Sequence, residues 1–159
     1  MTVLTKKYNN PFALIQVKPD NWKGLIGKTS GNFLMFSSAL YGVRAGFINL
    51  ENAYIKRGLK TIAQIFPIYA PKGHGDNEPE RYIKYVSDAT GFSRNKVLNF
   101  GNLQEVGRAI ITLEAGNFWV SEKDFYDGYL LAGQQLGYIG DTVILPKEDN
   151  EASKKKKIS

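Results

Sequence analysis

The stretch Arg108-Ala109-Ile110-Ile111-Thr112-Leu113-Glu114-Ala115-Gly116 narrows the choice of fold more than any other, because it is an apolar helix end that carries one carboxylate and then stops at a glycine. Leu103, Val106, Ile110, Leu113 and Asn117 recur at i, i+3, i+7, i+10 and i+14, which predicts a helix over 103–114 with one buried stripe. Glu114 lies one turn beyond Ile110, at the edge of that stripe. Pointing to water in the last turn, it would sit against the helix dipole. Partly desolvated by the stripe, its neutral form is favoured, which is what a general acid needs to hold a proton near neutral pH.

A chain of 159 residues, 43% of them hydrophobic, can bury one ordinary core, so a single domain over 1–146 is expected. The absence of cysteine excludes disulfides, thiolate nucleophiles and thiolate metal sites. With a single histidine there is little material for transition-metal ligation, and no metal or cofactor is implied. The first residues lack the apolar core of a signal peptide, and no run of 18 apolar residues suggests a membrane span. The net charge of +6 owes much to Lys154–Lys157. Residues 147–159 have almost no apolar material and read as a disordered basic tail, either simply solvated or in electrostatic contact with nucleic acid, acidic lipid or an acidic partner.

Two short apolar runs, Phe12 to Val17 and Asn32 to Phe36, predict the strands of a small antiparallel sheet, joined by a glycine-rich loop that holds Trp22. The remainder predicts helices. Ser37 or Ser38 caps one that runs to Arg57, and Thr61 caps a second over Ile62 to Tyr69. Asn77 caps a third over Glu78 to Thr90, Asn102 opens the Glu114 helix with Glu105 completing a capping box, and Ser121 caps the last, Glu122 to Leu136. The expected class is α+β, predominantly α. Gly42 and Gly46 lie one turn apart inside the first long helix, where each costs roughly 1 kcal/mol of helix propensity, so another part of the chain should approach closely there. His74 and Asp76 sit in the most loop-like stretch, but no serine or cysteine is placed to work with them.

The runs Phe33-Leu34-Met35-Phe36-Ser37-Ser38-Ala39-Leu40-Tyr41-Gly42-Val43-Arg44-Ala45, Tyr54 to Ile65, Tyr69-Ala70-Pro71, Asn77 followed by Tyr82-Ile83, and Ala109 to Gly116 together resemble a family of phage virion proteins. Those proteins often open with Asn-Asn-Pro-Gly-Asn-Ile-Arg. The counterpart here is Asn9-Asn10-Pro11-Phe12-Ala13-Leu14-Ile15, which keeps only the Asn-Asn-Pro part, followed by Trp22-Lys23-Gly24. The resemblance covers roughly residues 9 to 116. It implies a place in a virion and contact with other virion proteins.

A second resemblance concerns activity. Lytic transglycosylases and bacterial glucosaminidases of the lysozyme-like class place a catalytic Glu at a helix end reading roughly Ala-Ile-Ile-x-x-Glu-x-Gly, and continue into an Asn-Asn-rich strand and a Trp-x-Gly. This chain has the same pieces in the opposite order, as a circular permutation of a lysozyme-like fold would give. The resemblance implies glycan strands of peptidoglycan as partner and Glu114 as the acid that protonates the glycosidic oxygen. Tyr8, Asn9, Asn10, Trp22, Tyr41 and Asn77 would be substrate-binding residues. A hydrolytic version needs a second carboxylate, for which Asp76, Glu78 and Glu51 are the candidates. Two other readings stay open: a virion structural protein without activity, favoured by the departures in Phe12 to Ile15, and a small basic nucleic-acid-binding protein.

Overall fold

The computed structural model describes residues 3–70 and 78–138. The tail from Lys147 onward, and with it the expected disorder of 147–159, lies outside the described residues, as do His74, Asp76 and Asn77. The described chain runs α1 (Leu4–Lys7), β1 (Leu25–Lys28), β2 (Leu34–Phe36), α2 (Ala39–Ala53), a 3-10 turn (Ile55–Arg57), α3 (Ile62–Tyr69), α4 (Pro79–Thr90), α5 (Leu103–Ala115) and α6 (Glu122–Leu136). It is mainly helical, with one small two-stranded antiparallel sheet. Among the described residues no helix is long and apolar enough to cross a membrane.

The helices follow the sequence signals closely. The Ser38 and Ser121 hydroxyls accept from the amides of Tyr41 and Asp124, and Thr61 with Gln64 forms a full capping box. Two caps differ from expectation, at α5 and at α4, where Glu78 stands in place of Asn77. Asn102 does not bond its own helix; it exchanges two hydrogen bonds with Asn99, side chain to backbone at 3.0 and 2.9 Å, and closes the preceding turn instead. At α4, Glu78 holds the cap position with Pro79 inside the first turn, where its missing N–H costs nothing.

The sheet departs further from the sequence reading. Phe12 to Val17 is not a strand; it makes one isolated bridge, Ile15 to Phe33. The partner of β2 is Leu25–Lys28, in the stretch read as a loop. Two local causes account for this. Asn10 is fully buried, and its amide bonds the carbonyls of Leu14 and Leu34 and the amide of Leu14, which folds 10–14 into a tight bend. Asn9 and Ala13 also take positive φ, of 54° and 56°, which no extended strand allows. The true strand is disguised by Gly27 and by a register irregularity between Leu25 and Gly27, which break the alternation.

The bend sends the Phe12 ring into the middle of the helices. Phe47 of α2 is the centre of the core, edge-on to Phe12 at 5.1 Å, Phe125 at 5.6 Å and Tyr129 at 5.0 Å. Phe12 fits because its neighbours have no side chains. A Cβ at Gly46 would stand 2.2 Å from its ring, and one at Gly107 would meet Phe47 at 2.6 Å and Phe12 at 3.0 Å. At Gly42 the approach is by backbone, since a Cβ would come within 2.1 Å of the Asn9 carbonyl oxygen. The glycines that weaken α2 as a helix are thus the seats of the Asn9 to Phe12 bend.

Candidate functional site

Glu114 stands in the last turn of α5, which ends as expected at Gly116 in a left-handed conformation with its N–H on the Thr112 carbonyl at 2.8 Å. The buried stripe of α5 comprises Leu103, Val106, Gly107, Ala109, Ile110 and Ile111. Beyond it Leu113 and Glu114 are half-buried and open into a cavity of about 490 Å³ between α4 and α5. Glu78, Arg81, Tyr85 and Asp88 supply the opposite wall.

The carboxyl has one described hydrogen-bond partner. The Tyr82 hydroxyl donates to Glu114 Oε2 at 2.8 Å. Tyr82 is itself fixed: its ring stacks on Phe66 at 4.8 Å and 19°, and Tyr69 lies at 6.0 Å. The Tyr69 hydroxyl in turn donates to the carbonyl of Phe12. Two tyrosines therefore link the Asn9-to-Phe12 bend to the carboxyl at the end of α5.

Burial sets the electrostatics. It pushes the Glu114 carboxyl above the usual carboxylate range, and the Tyr82 hydrogen bond offsets only part of that rise. Burial also pushes the Tyr82 and Tyr69 phenols well above their ordinary value, Tyr69 and Glu114 adding to it at Tyr82 and Glu114 and Tyr54 at Tyr69, so both hydroxyls stay protonated donors. No cation neutralises Glu114 among the described residues. Arg108 is engaged in a bidentate pair with Glu122, at 3.0 and 2.9 Å, and stacks over Phe118 and Phe125. Arg44 reaches Gln135. Lys84 pairs with Asp88 at 2.8 Å within α4. The arrangement is a protonatable acid in a partly dry groove, with one hydrogen bond fixing its orientation.

The other sequence-predicted binding residues gather elsewhere. The Tyr8 carbonyl accepts from the Phe36 amide, and the Asn9 amide donates to the Phe36 carbonyl at 3.2 Å. Tyr41 packs its ring on Gly24. Trp22 donates to the Gln16 side chain at 2.9 Å and borders a shallow pocket with Arg44 and Gln135. Asn10 is sealed in the bend. Tyr8, Asn9, Asn10, Trp22 and Tyr41 thus surround the sheet and do not line the Glu114 groove, and Asn77 lies outside the described residues. Of the second-carboxylate candidates, Glu78 lines the groove, Glu51 is buried at the far end of α2, and Asp76 is not described. Sequence reasoning missed Tyr69, Tyr82 and Tyr85 as site residues. Tyr82 enters the sequence reading only through the Tyr82-Ile83 pair of the resemblance, and no spacing ties position 82 to position 114.

No family model matches the chain. Over 85 residues it is 35% identical to Protein P5 of Pseudoalteromonas phage PM2, a match covering 54% of this chain and 52% of that protein. The chain thus spans about half the length of the curated relative it matches, and its similarity is to a phage protein.

Proposed function

We propose that this chain is a virion-associated protein that cleaves the glycan strands of peptidoglycan at phage infection or release, built on a permuted lysozyme-like plan, with Glu114 as its general acid. The observation that carries the reading is the state of Glu114: half-buried at a helix end, raised in pKa by burial, free of any described cationic partner and open to a groove. A carboxyl locked against an arginine would hold helices together and need no substrate. Glu114 is not held in that way. The likeness to a phage protein and the Glu-Ala-Gly helix end add to the reading.

The chemistry follows from one proton. Protonated Glu114 gives its proton to the glycosidic oxygen, the bond from that oxygen to the anomeric carbon breaks, and the leaving sugar departs as an alcohol. The oxocarbenium-like centre is captured by a hydroxyl of its own sugar or by water, and the Glu114 carboxylate takes back the proton released. Tyr82 holds Oε2 and leaves Oε1 for the substrate. Tyr85 offers an aromatic wall on which a sugar ring can lie. In the hydrolytic route Glu78, which lines the same groove, is the candidate base for the water.

Digesting purified peptidoglycan with the full chain and analysing the soluble fragments by mass spectrometry tests this. Cleaved disaccharide units are expected from wild type and none from Glu114→Gln. Anhydro ends identify intramolecular capture, and reducing ends identify water. Intact glycan after wild-type treatment would leave a structural virion role.

A further inference from the structure

Glu51, near the C-terminal end of α2, is 2% exposed and is the one buried acidic side chain among the described residues. Its Oε2 accepts from the Tyr138 hydroxyl at 2.6 Å, while Oε1 is enclosed and has no hydrogen-bond partner among those residues. None of the described ion pairs includes it. A carboxylate left this way is costly unless a charge or donor meets it. Beside it lies a cavity of about 560 Å³, to which Ile55, Val97, Phe100 and Tyr138 contribute apolar wall and Lys60 an exposed rim. The Phe100 and Tyr138 rings stand 5.3 Å apart at 36°. Tyr138 follows the last residue of α6 by two positions and is half-exposed, and Glu51 lines the cavity beside it.

We propose that this cavity is a second binding site, for a primary ammonium group on a short apolar chain of the lysine or diamine type, with Glu51 as counter-charge and the Phe100 and Tyr138 rings beside the cation. The charge of the carboxylate selects a cation over a neutral donor. A single carboxylate among aromatic walls selects an organic ammonium over a metal ion, which would demand more oxygen ligands. The site precedes the first turn of α5 whereas Glu114 ends it, about 17 Å along the helix axis, and the two share no lining residue.

The test is a titration of the 15N-labelled full chain with n-butylammonium chloride, set against n-butanol with sodium chloride at the same concentrations. Saturable shifts of the amides of residues 97–101 and of Tyr138 are expected with the ammonium salt alone. Glu51→Gln should abolish them. Tyr138→Phe, which frees Oε2 from its donor, should tighten binding roughly tenfold, the equivalent of one hydrogen bond to a charged group. Equal shifts with butanol would mean an apolar pocket without charge recognition. An unresponsive wild type would mean that water or an inward Lys60 satisfies Glu51. Either result overturns the proposal, as does unchanged affinity in Tyr138→Phe, which decides the matter even if Glu51→Gln fails to fold.

Discussion

Helix α5 serves two neighbourhoods with opposite demands. On its inner side Gly107 receives the rings of Phe12 and Phe47 in a seam where no added carbon fits. At its C-terminal end Glu114 faces a groove walled by tyrosine and charge. The seam is dry, apolar and shaped by what is missing, namely the Cβ atoms of Gly42, Gly46 and Gly107. The groove is half-wet and shaped by what is held, a carboxyl that one phenol keeps in place. Packing and chemistry are therefore separable on one helix, and substitutions should sort into those that remove stability and those that remove activity.

The largest expected effect lies in the seam. Phe12→Ala removes a fully buried ring and should cost about 3–5 kcal/mol in urea unfolding. Gly42→Ala drives a Cβ against the Asn9 carbonyl and should cost about 3 kcal/mol, near the upper end for overpacking. Whatever folded protein remains in either case should cleave at the normal rate per folded molecule, and a selective loss of rate would break the separation.

On the groove side, Tyr82→Phe should change stability by only about 1 kcal/mol, the worth of one hydrogen bond. Its larger signature is in pH dependence. The Tyr82 hydrogen bond lowers the Glu114 pKa, so removing it raises that pKa further, and the alkaline limb of the pH–rate profile should move to higher pH. An unmoved limb would show that another group titrates there. The smallest effect is on the stability of Glu114→Gln. Because burial holds the folded pKa of Glu114 above its unfolded value, ionisation penalises the folded state. Wild-type stability should therefore fall as pH rises from the usual carboxylate range through the raised pKa, and then level off. Glutamine does not ionise, so its melting temperature relative to wild type should climb across that window.

The two regions also differed in how legible they were. The helices could be read because caps and periodicity are local: Thr61 with Gln64 and Ser121 with Asp124 each act within one turn. The close approach at Gly42 was readable too, since a glycine inside a helix has a cost that only packing explains. The sheet was not. Phe12 to Val17 has the composition of a strand, but a buried asparagine two residues earlier overrides propensity with three hydrogen bonds. The groove was legible at Glu114, whose charge at the edge of an apolar stripe is a conflict visible in one dimension, and at Glu78 only as one of three candidate second carboxylates. Its tyrosines come from α3 and α4, and their convergence on that carboxyl is a product of tertiary packing.

The most direct test of the central claim compares wild type and Glu114→Gln from matched preparations, following the clearing of purified peptidoglycan and the thermal melt of each protein. The glutamine variant should lose at least about a hundredfold in clearing rate, the scale of general acid catalysis, while melting no lower than wild type at neutral pH. Clearing by the glutamine variant at the wild-type rate, or a wild type that clears nothing, would contradict the central claim.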